Sequence, residues 1–195
     1  MEATHRASPP RPRPTKPEPF RFTRELYHRM GEQDAFKGLK VELLEGEIVV
    51  MAPMDAEHAR PIQELNHLLV RALPDTLRVR SQLPLAPDDE NEPEPDFAVI
   101  QRDDDETDNP QTALLAIEIA NTTVRDDLTR KARIYARAGI PEYWVLDVKK
   151  RELVVHRSPA NGKYKSVKRL TDLSAVKSSA VPSLVLDLRH IFVKR

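Results

Sequence analysis

Three stretches of this chain carry apolar residues at the spacing of a helix with one buried face. The first begins after Thr23, a residue type that caps helices, and ends near Gly31. The second covers residues 55–74, and the third covers residues 125–138 and is ended by Gly139. We therefore predict three helices, and we expect the second and third to pack on a sheet.

Shorter apolar runs between these helices predict strands. The runs cover residues 41–44, 48–51, 77–80, 97–100, 113–120, 143–148, 153–156 and 164–167. Glu45-Gly46 and Asn161-Gly162 are typical of tight turns between two antiparallel strands. The order of elements predicts a mixed α/β domain built around a central sheet, and the pattern alone leaves its connectivity open.

The composition and the motifs of the chain exclude several classes of protein and several kinds of catalytic site. The chain has 195 residues and no cysteine, which excludes disulfides, thiolate metal sites and cysteine nucleophiles. No apolar run approaches the roughly 20 residues of a membrane span, and no secretory segment opens the chain. We expect a cytoplasmic protein that does not enter a membrane. Glycine loops that cradle nucleotides, zinc-type histidine pairs and a glycine-flanked serine elbow are also absent.

Charge and proline are unevenly distributed although the formal net charge is zero. Residues 1–19 contain six prolines and almost no apolar residue, which predicts a disordered tail before a single domain over 20–195. Residues 86–110 hold eleven acids, whereas residues 125–169 hold thirteen lysines or arginines against five acids. The basic segment could face phosphates, and it could equally be a solvated surface.

Two acids and a lysine stand where charge is unexpected. Asp96 directly precedes an apolar run, and Glu118 lies inside another, 22 residues later. Lys131 follows after 13 more residues, on the face of the third helix that should meet the sheet. Carboxylates that hold magnesium, with a lysine nearby, can hydrolyse a phosphodiester. This constellation indicates metal-dependent phosphodiester cleavage.

Each of these residues also has an ordinary structural explanation. Asp127 and Lys131, four residues apart, could form a surface ion pair worth a few tenths of a kcal/mol, on the order of what exposed helical pairs contribute. Asp96 could be an acid at the entry of a strand, and Glu118 could face water from an edge strand. These alternatives are less plausible jointly than singly.

Several stretches in this order resemble the large bacterial Uma-type, DUF820-like family of restriction endonucleases, a branch of the PD-(D/E)XK nuclease superfamily. The stretches are Val41-Glu42-Leu43-Leu44-Glu45-Gly46-Glu47-Ile48-Val49, Met51-Ala52-Pro53 with Glu57-His58, Glu92-Pro93-Glu94-Pro95-Asp96, Ile117-Glu118-Ile119-Ala120-Asn121-Thr122-Thr123 and the segment 131–147. The resemblance extends over about residues 22–192.

The resemblance implies a restriction-endonuclease-like fold, in which helices flank a mixed central sheet behind an N-terminal helix and a β-hairpin. It implies an endonuclease that acts on DNA with Mg²⁺ or Mn²⁺, with Asp96 and Glu118 as metal ligands. Lys131 would be the catalytic lysine. By analogy with related nucleases, it also implies a homodimer for double-strand cutting.

This chain departs from the superfamily pattern at the lysine. The superfamily places it two residues after the second acid, where this chain has Ala120. The Uma-type branch takes it from the following helix, which points to Lys131. Glu42, Glu47 and His58 also match family positions, and of these we rank Glu47 first as an auxiliary catalytic acid.

Two functional hypotheses follow from these observations. The first is a metal-dependent DNA endonuclease that uses Asp96, Glu118 and Lys131. The alternative is a nucleic-acid-binding or interaction module that keeps the nuclease fold without catalysis. Zero net charge and the displaced lysine leave that alternative open, whereas the three intact side chains favour the enzyme.

Overall fold

The computed structural model describes residues 16–52, 56–103, 109–121 and 123–192. Most of the predicted proline-rich tail and the predicted helix start at Asp55 lie outside these residues. The helices are α1 (Arg24–Glu32), α2 (Ala56–Ala72), α3 (Val124–Asp126), a π-helical turn (Asp127–Lys131), α4 (Ala132–Arg137) and a 3₁₀ turn (Arg189–Phe192). No helix within the described ranges is long and apolar enough to cross a membrane.

The strands of the described residues form one large sheet and two small hairpins. The hairpins are β1 (Val41–Leu44) with β2 (Glu47–Val50), and β9 (Val176–Lys177) with β10 (Val185–Leu186). The large sheet has the order β3-β4-β5-β6-β7-β8, with β3 (Leu77–Ser81), β4 (Phe97–Gln101), β5 (Leu115–Ala120), β6 (Glu142–Asp147), β7 (Glu152–Ala160) and β8 (Lys163–Leu170). Only β5 and β6 run parallel among these described strands, as the helical crossover between them requires.

A separate hydrophobic core lies against each face of the large sheet. One core joins α2 to Ile117 and Ile119 of β5, and the C-terminal segment completes it. The other joins Ala132 and Tyr135 of the 124–137 helix to Ala116 and Ala120. Because side chains alternate along a strand, Glu118 shares the face of Ala116 and Ala120. The fold therefore turns Glu118 towards the 124–137 helix.

Most predicted elements are present, and their ends follow from local chemistry. Thr23 caps α1 by accepting a hydrogen bond from the Leu26 N–H. Glu45 and Gly46 both have positive φ, as a tight two-residue turn requires. Gly139, also at positive φ, ends the 124–137 helix, as predicted. The hairpin of β9 and β10 and the 3₁₀ turn were not predicted, because two-residue strands leave no periodic pattern.

Glu142, at the start of β6, ties the C-terminal segment to the sheet. Its side chain is fully buried. Oε1 accepts hydrogen bonds from Arg157 and the Trp144 indole, and Oε2 accepts them from Ser178, Ser179 and the Ala180 N–H. These donors outweigh the effect of burial and hold the pKa of Glu142 below its usual value. The carboxylate is therefore ionised in the folded protein.

We expect Glu142→Gln to destabilise the fold. The amide nitrogen cannot accept hydrogen bonds, so buried donors on one side of the group lose their partner. The free energy of unfolding should fall by about 2–4 kcal/mol, on the order measured when a buried charged hydrogen-bonding group is removed. Urea unfolding at neutral pH measures this loss. Glu32→Gln, an exposed change at the end of α1, is the matched control.

The same carboxylate predicts a pH dependence of stability. Because the folded-state pKa of Glu142 lies below its ordinary value of 4.5, its stabilising effect is complete above that value and is lost as the pH falls through the folded pKa. The stability difference between wild type and Glu142→Gln should therefore shrink below about pH 4.5. A stability difference that stays constant down to acid pH would show that Glu142 is not ionised in the folded protein.

Candidate active site

Asp96 and Glu118 lie opposite each other across two antiparallel strands. Phe97 of β4 pairs with Ile117 of β5, so the same register places Asp96, one residue before β4, opposite Glu118. Both side chains are buried. Asp96 Oδ2 accepts a hydrogen bond of 2.7 Å from the Ile119 N–H, which fixes its carboxylate against β5. The sheet thus brings together the two acids that the sequence singled out.

Lys131 meets Glu118 from the facing helix. Lys131 Nζ lies 3.0 Å from Glu118 Oε1, and the Tyr135 hydroxyl donates to the same oxygen at 2.9 Å. Both donors are almost fully buried. Lys131 therefore does not take part in a surface ion pair, and its charge is directed at the acids of the sheet.

A π-helical turn lets the helix present two charged residues to the sheet. Asp127 and Lys131 begin and end this turn, and both are 3% exposed. Asp127 Oδ2 accepts a hydrogen bond from the Thr123 hydroxyl, and its backbone carbonyl accepts one from the Tyr143 hydroxyl. π-Helical turns inside α-helices occur frequently at functional sites.

Glu42, rather than Glu47, completes the cluster. Glu42 is 2% exposed on β1, and its two oxygens lie 3.3 and 3.4 Å from Lys131 Nζ. Glu47 is 52% exposed and binds Arg21 and Arg130 instead, both at 2.7 Å. The structure therefore does not bring Glu47 to the predicted acids. The side chain of His58 lies outside the described residues.

Negative charge dominates this buried cluster. Among the described side chains, the carboxylates of Glu42, Glu118 and Asp127 lie near the ammonium group of Lys131, and Asp96 lies near Glu118. Burial, together with Asp127, Asp96 and Glu42, raises the pKa of Glu118 although Lys131 opposes the shift. Burial would lower the pKa of Lys131, but the carboxylates outweigh it and raise that pKa. The cluster would gain from a further positive charge.

Two of the buried carboxylates are donors of the kind that a small divalent cation would use. Glu42 Oε2 is buried and lacks a hydrogen bond, although Lys131 lies nearby. The described residues hold no group of three or more His, Cys, Asp or Glu side chains placed to bind a metal. Mg²⁺ commonly binds through one or two carboxylates and completes its shell with water and substrate phosphate. Asp96 and Glu118 match that kind of site, and a backbone carbonyl such as that of Ile119 could add to it.

Sequence reasoning missed Tyr135, which contacts Glu118. In the sequence it falls within the segment 131–147 that resembles the family, and nothing there singles it out. A tyrosine four residues after Lys131 lies on the same helix face and could have been recognised as a second donor to the same acid. Tyr143 and Trp144, at the start of the strand predicted over 143–148, are fully buried.

Comparisons with known proteins agree with this fold. A solved structure described as a putative nuclease belonging to DUF820, from Anabaena variabilis, superposes with a TM-score of 0.65 at 15% sequence identity. The match covers 88% of this chain and 97% of that chain, and at this identity it shows the fold alone. The predicted nuclease-like α/β fold is confirmed.

The family follows from a second comparison. The family model Uma2, "Putative restriction endonuclease", matches residues 24–189. Because the match covers most of the chain, the protein belongs to this family, as the resemblance indicated. No curated protein matches the chain.

Proposed function

We propose that this protein is a divalent-metal-dependent DNA endonuclease in which Asp96 and Glu118 hold the metal and Lys131 assists the attacking water. The observation that carries the proposal is the pairing of two buried acids across β4 and β5 with a buried lysine above them. The family and the fold support a nuclease. We add to this the divalent metal and the DNA substrate.

The two carboxylate oxygens of Glu118 have different hydrogen-bond partners, so they would play different roles. Lys131 and Tyr135 both donate to Oε1, which leaves Oε2 as the oxygen for a cation. Asp96 is held by the Ile119 N–H through Oδ2. A divalent cation bound by these acids would neutralise charge on the phosphate and favour attack by water. Tyr135 is a positioning residue, because it acts through Glu118.

Lys131 acts as a charge and a hydrogen-bond donor. Burial opposes the shift, but the carboxylates around it raise the pKa of Lys131, which favours the protonated form. A buried ammonium group beside the reacting phosphate can orient the water and stabilise developing negative charge. Glu42 holds this ammonium group in place and takes the auxiliary role in our proposal.

Cleavage of supercoiled plasmid and of single-stranded DNA tests this function. The wild type should cut with Mg²⁺ or Mn²⁺ and stop when EDTA removes the metal. Glu42→Gln should slow cleavage by roughly 10–100-fold, the effect of losing a residue that supports a metal site. Glu64→Gln, an exposed change on α2 behind the sheet, should leave the rate unchanged.

A wild type that cuts neither DNA form with either metal would contradict the proposal. It would favour a nucleic-acid-binding or interaction module that keeps the nuclease fold. Equal rates for Glu42→Gln and Glu64→Gln would remove Glu42 from the site without affecting the other assignments.

A further inference from the structure

A second polar site lies beside the buried acids, in an open pocket of about 620 Å³. We call it the arginine pocket. It is lined by Arg21, Glu45, Glu47, Thr123, Arg125, Asp126, Thr129, Arg130 and Arg133. We propose that the arginine pocket binds a backbone phosphate of the DNA strand, close to the phosphodiester that is cut. The location of that cut rests on the proposed function.

The acids of the hairpin hold the arginines in place. Glu47 lies between Arg21 and Arg130, each bound at 2.7 Å. Glu45 accepts two hydrogen bonds from Arg133, of 2.7 and 2.6 Å. The arginine side chains are therefore already ordered in the folded protein. Binding of a phosphate would cost less side-chain entropy than it would with mobile arginines.

Donor groups remain available in this pocket. Arg125 is exposed, and its guanidinium group makes no hydrogen bond or ion pair with the described residues; only its backbone carbonyl is engaged, by the Thr129 hydroxyl. Arg130 Nε makes no hydrogen bond, and its ion pair with Glu45 is long, at 3.8 Å; because this atom is buried, it can donate to a phosphate only if the side chain moves. Four arginines face three acids along the lining, so one positive charge is in excess. Planar guanidinium donors with free N–H groups suit phosphate oxygens.

Two connections place the arginine pocket near the cluster of acids. Thr123 lines the pocket and donates to Asp127, which adjoins Lys131 and Glu118. Glu45 of the pocket and Glu42 of the cluster are three residues apart, so their backbones are separated by at most about 11 Å. Phosphates on one DNA strand advance by about 3.4 Å each along the helix axis. The pocket is therefore within a few nucleotides of the cut.

DNA binding by Arg125→Gln tests this proposal. Fluorescence anisotropy with a short duplex, with Ca²⁺ replacing Mg²⁺, gives the affinity between about 50 and 200 mM salt, where counterion release dominates. Loss of one phosphate contact should lower the slope of log K against log salt by about 0.9 and weaken binding roughly tenfold at low salt. Arg125→Lys should keep most of the slope, because it keeps the charge.

Arg71→Gln is the matched control, since Arg71 is exposed on α2 on the other side of the sheet. A slope that falls for Arg125→Gln and not for Arg71→Gln supports the pocket. Equal slopes in both variants and the wild type would overturn it, even if the wild type cuts DNA. This assay requires no cleavage, so failure of the proposed catalysis would be seen separately in the plasmid assay.

Discussion

Glu118→Gln is expected to abolish both metal binding and DNA cleavage. The change keeps the size of the side chain and its place opposite Asp96, but it removes one of the two charged metal ligands. Loss of several kcal/mol of transition-state stabilisation corresponds to about a thousandfold or greater fall in rate. Calorimetric titration with Mg²⁺ and Mn²⁺, together with plasmid cleavage, measures the two effects.

The fold of this variant should persist. Burial already disfavours the ionised form of Glu118, and Lys131 keeps its contacts with Glu42. A thermal melt close to that of the wild type confirms folding, and Glu64→Gln controls for removal of a surface charge. If a folded Glu118→Gln protein binds metal and cuts DNA as the wild type does, Glu118 is not a metal ligand.

Lys131→Met should strongly slow cleavage and spare metal binding. Methionine fills similar space but supplies neither charge nor hydrogen-bond donors. The rate should fall by about 10²–10³, the range seen when one preorganised donor to developing charge is removed. The metal ligands remain, so calorimetry should still detect Mg²⁺ or Mn²⁺.

The same change should destabilise the metal-free protein. Glu42 and Glu118 lose their buried partner, which costs about 3–5 kcal/mol when one member of a buried ion pair is removed. Urea unfolding in EDTA measures this loss, and added Mg²⁺ should recover part of it. Lys37→Met, at a lysine 78% exposed, is the control. A Lys131→Met protein that cuts normally would contradict the role of this lysine.

Asp96 and Glu118 could be recognised from the sequence because charged residues are unusual next to or inside buried strands. A carboxylate inside an apolar run, such as Glu118, is rarely buried without a partner or a function. A second acid before another apolar run then implied two strands of one sheet. The register that places Asp96 opposite Glu118 was not readable, because pairing depends on contacts between distant segments.

The helix shows the limit of periodic patterns. The spacing correctly placed Lys131 towards the sheet, but it left a surface ion pair with Asp127 open. The family resemblance, rather than the spacing, made Lys131 the candidate catalytic lysine. The π-helical turn at Asp127–Lys131 could not be predicted, because its sequence is compatible with an ordinary α-helix. Its effect is to bury both charged ends of the turn against the sheet.

The hairpin shows why neighbouring family positions cannot be ranked from sequence. Glu42 and Glu47 both lie in the same motif, and we predicted Glu47 as the auxiliary acid. In the structure Glu42 faces Lys131, while Glu47 meets arginines from distant segments. The identity of the auxiliary catalytic acid remains a prediction, and the geometry favours Glu42 over Glu47 for that role. The structural importance of Glu142 likewise depends on donors 36–38 residues away.

The central claim is that Asp96 and Glu118 together hold a catalytic divalent cation. Calorimetric titration of Mn²⁺ and Mg²⁺ into wild type and Asp96→Asn tests it most directly. Our account predicts saturable binding to the wild type and none to a folded Asp96→Asn protein. Equal binding by both proteins, or no binding by the wild type, would contradict it.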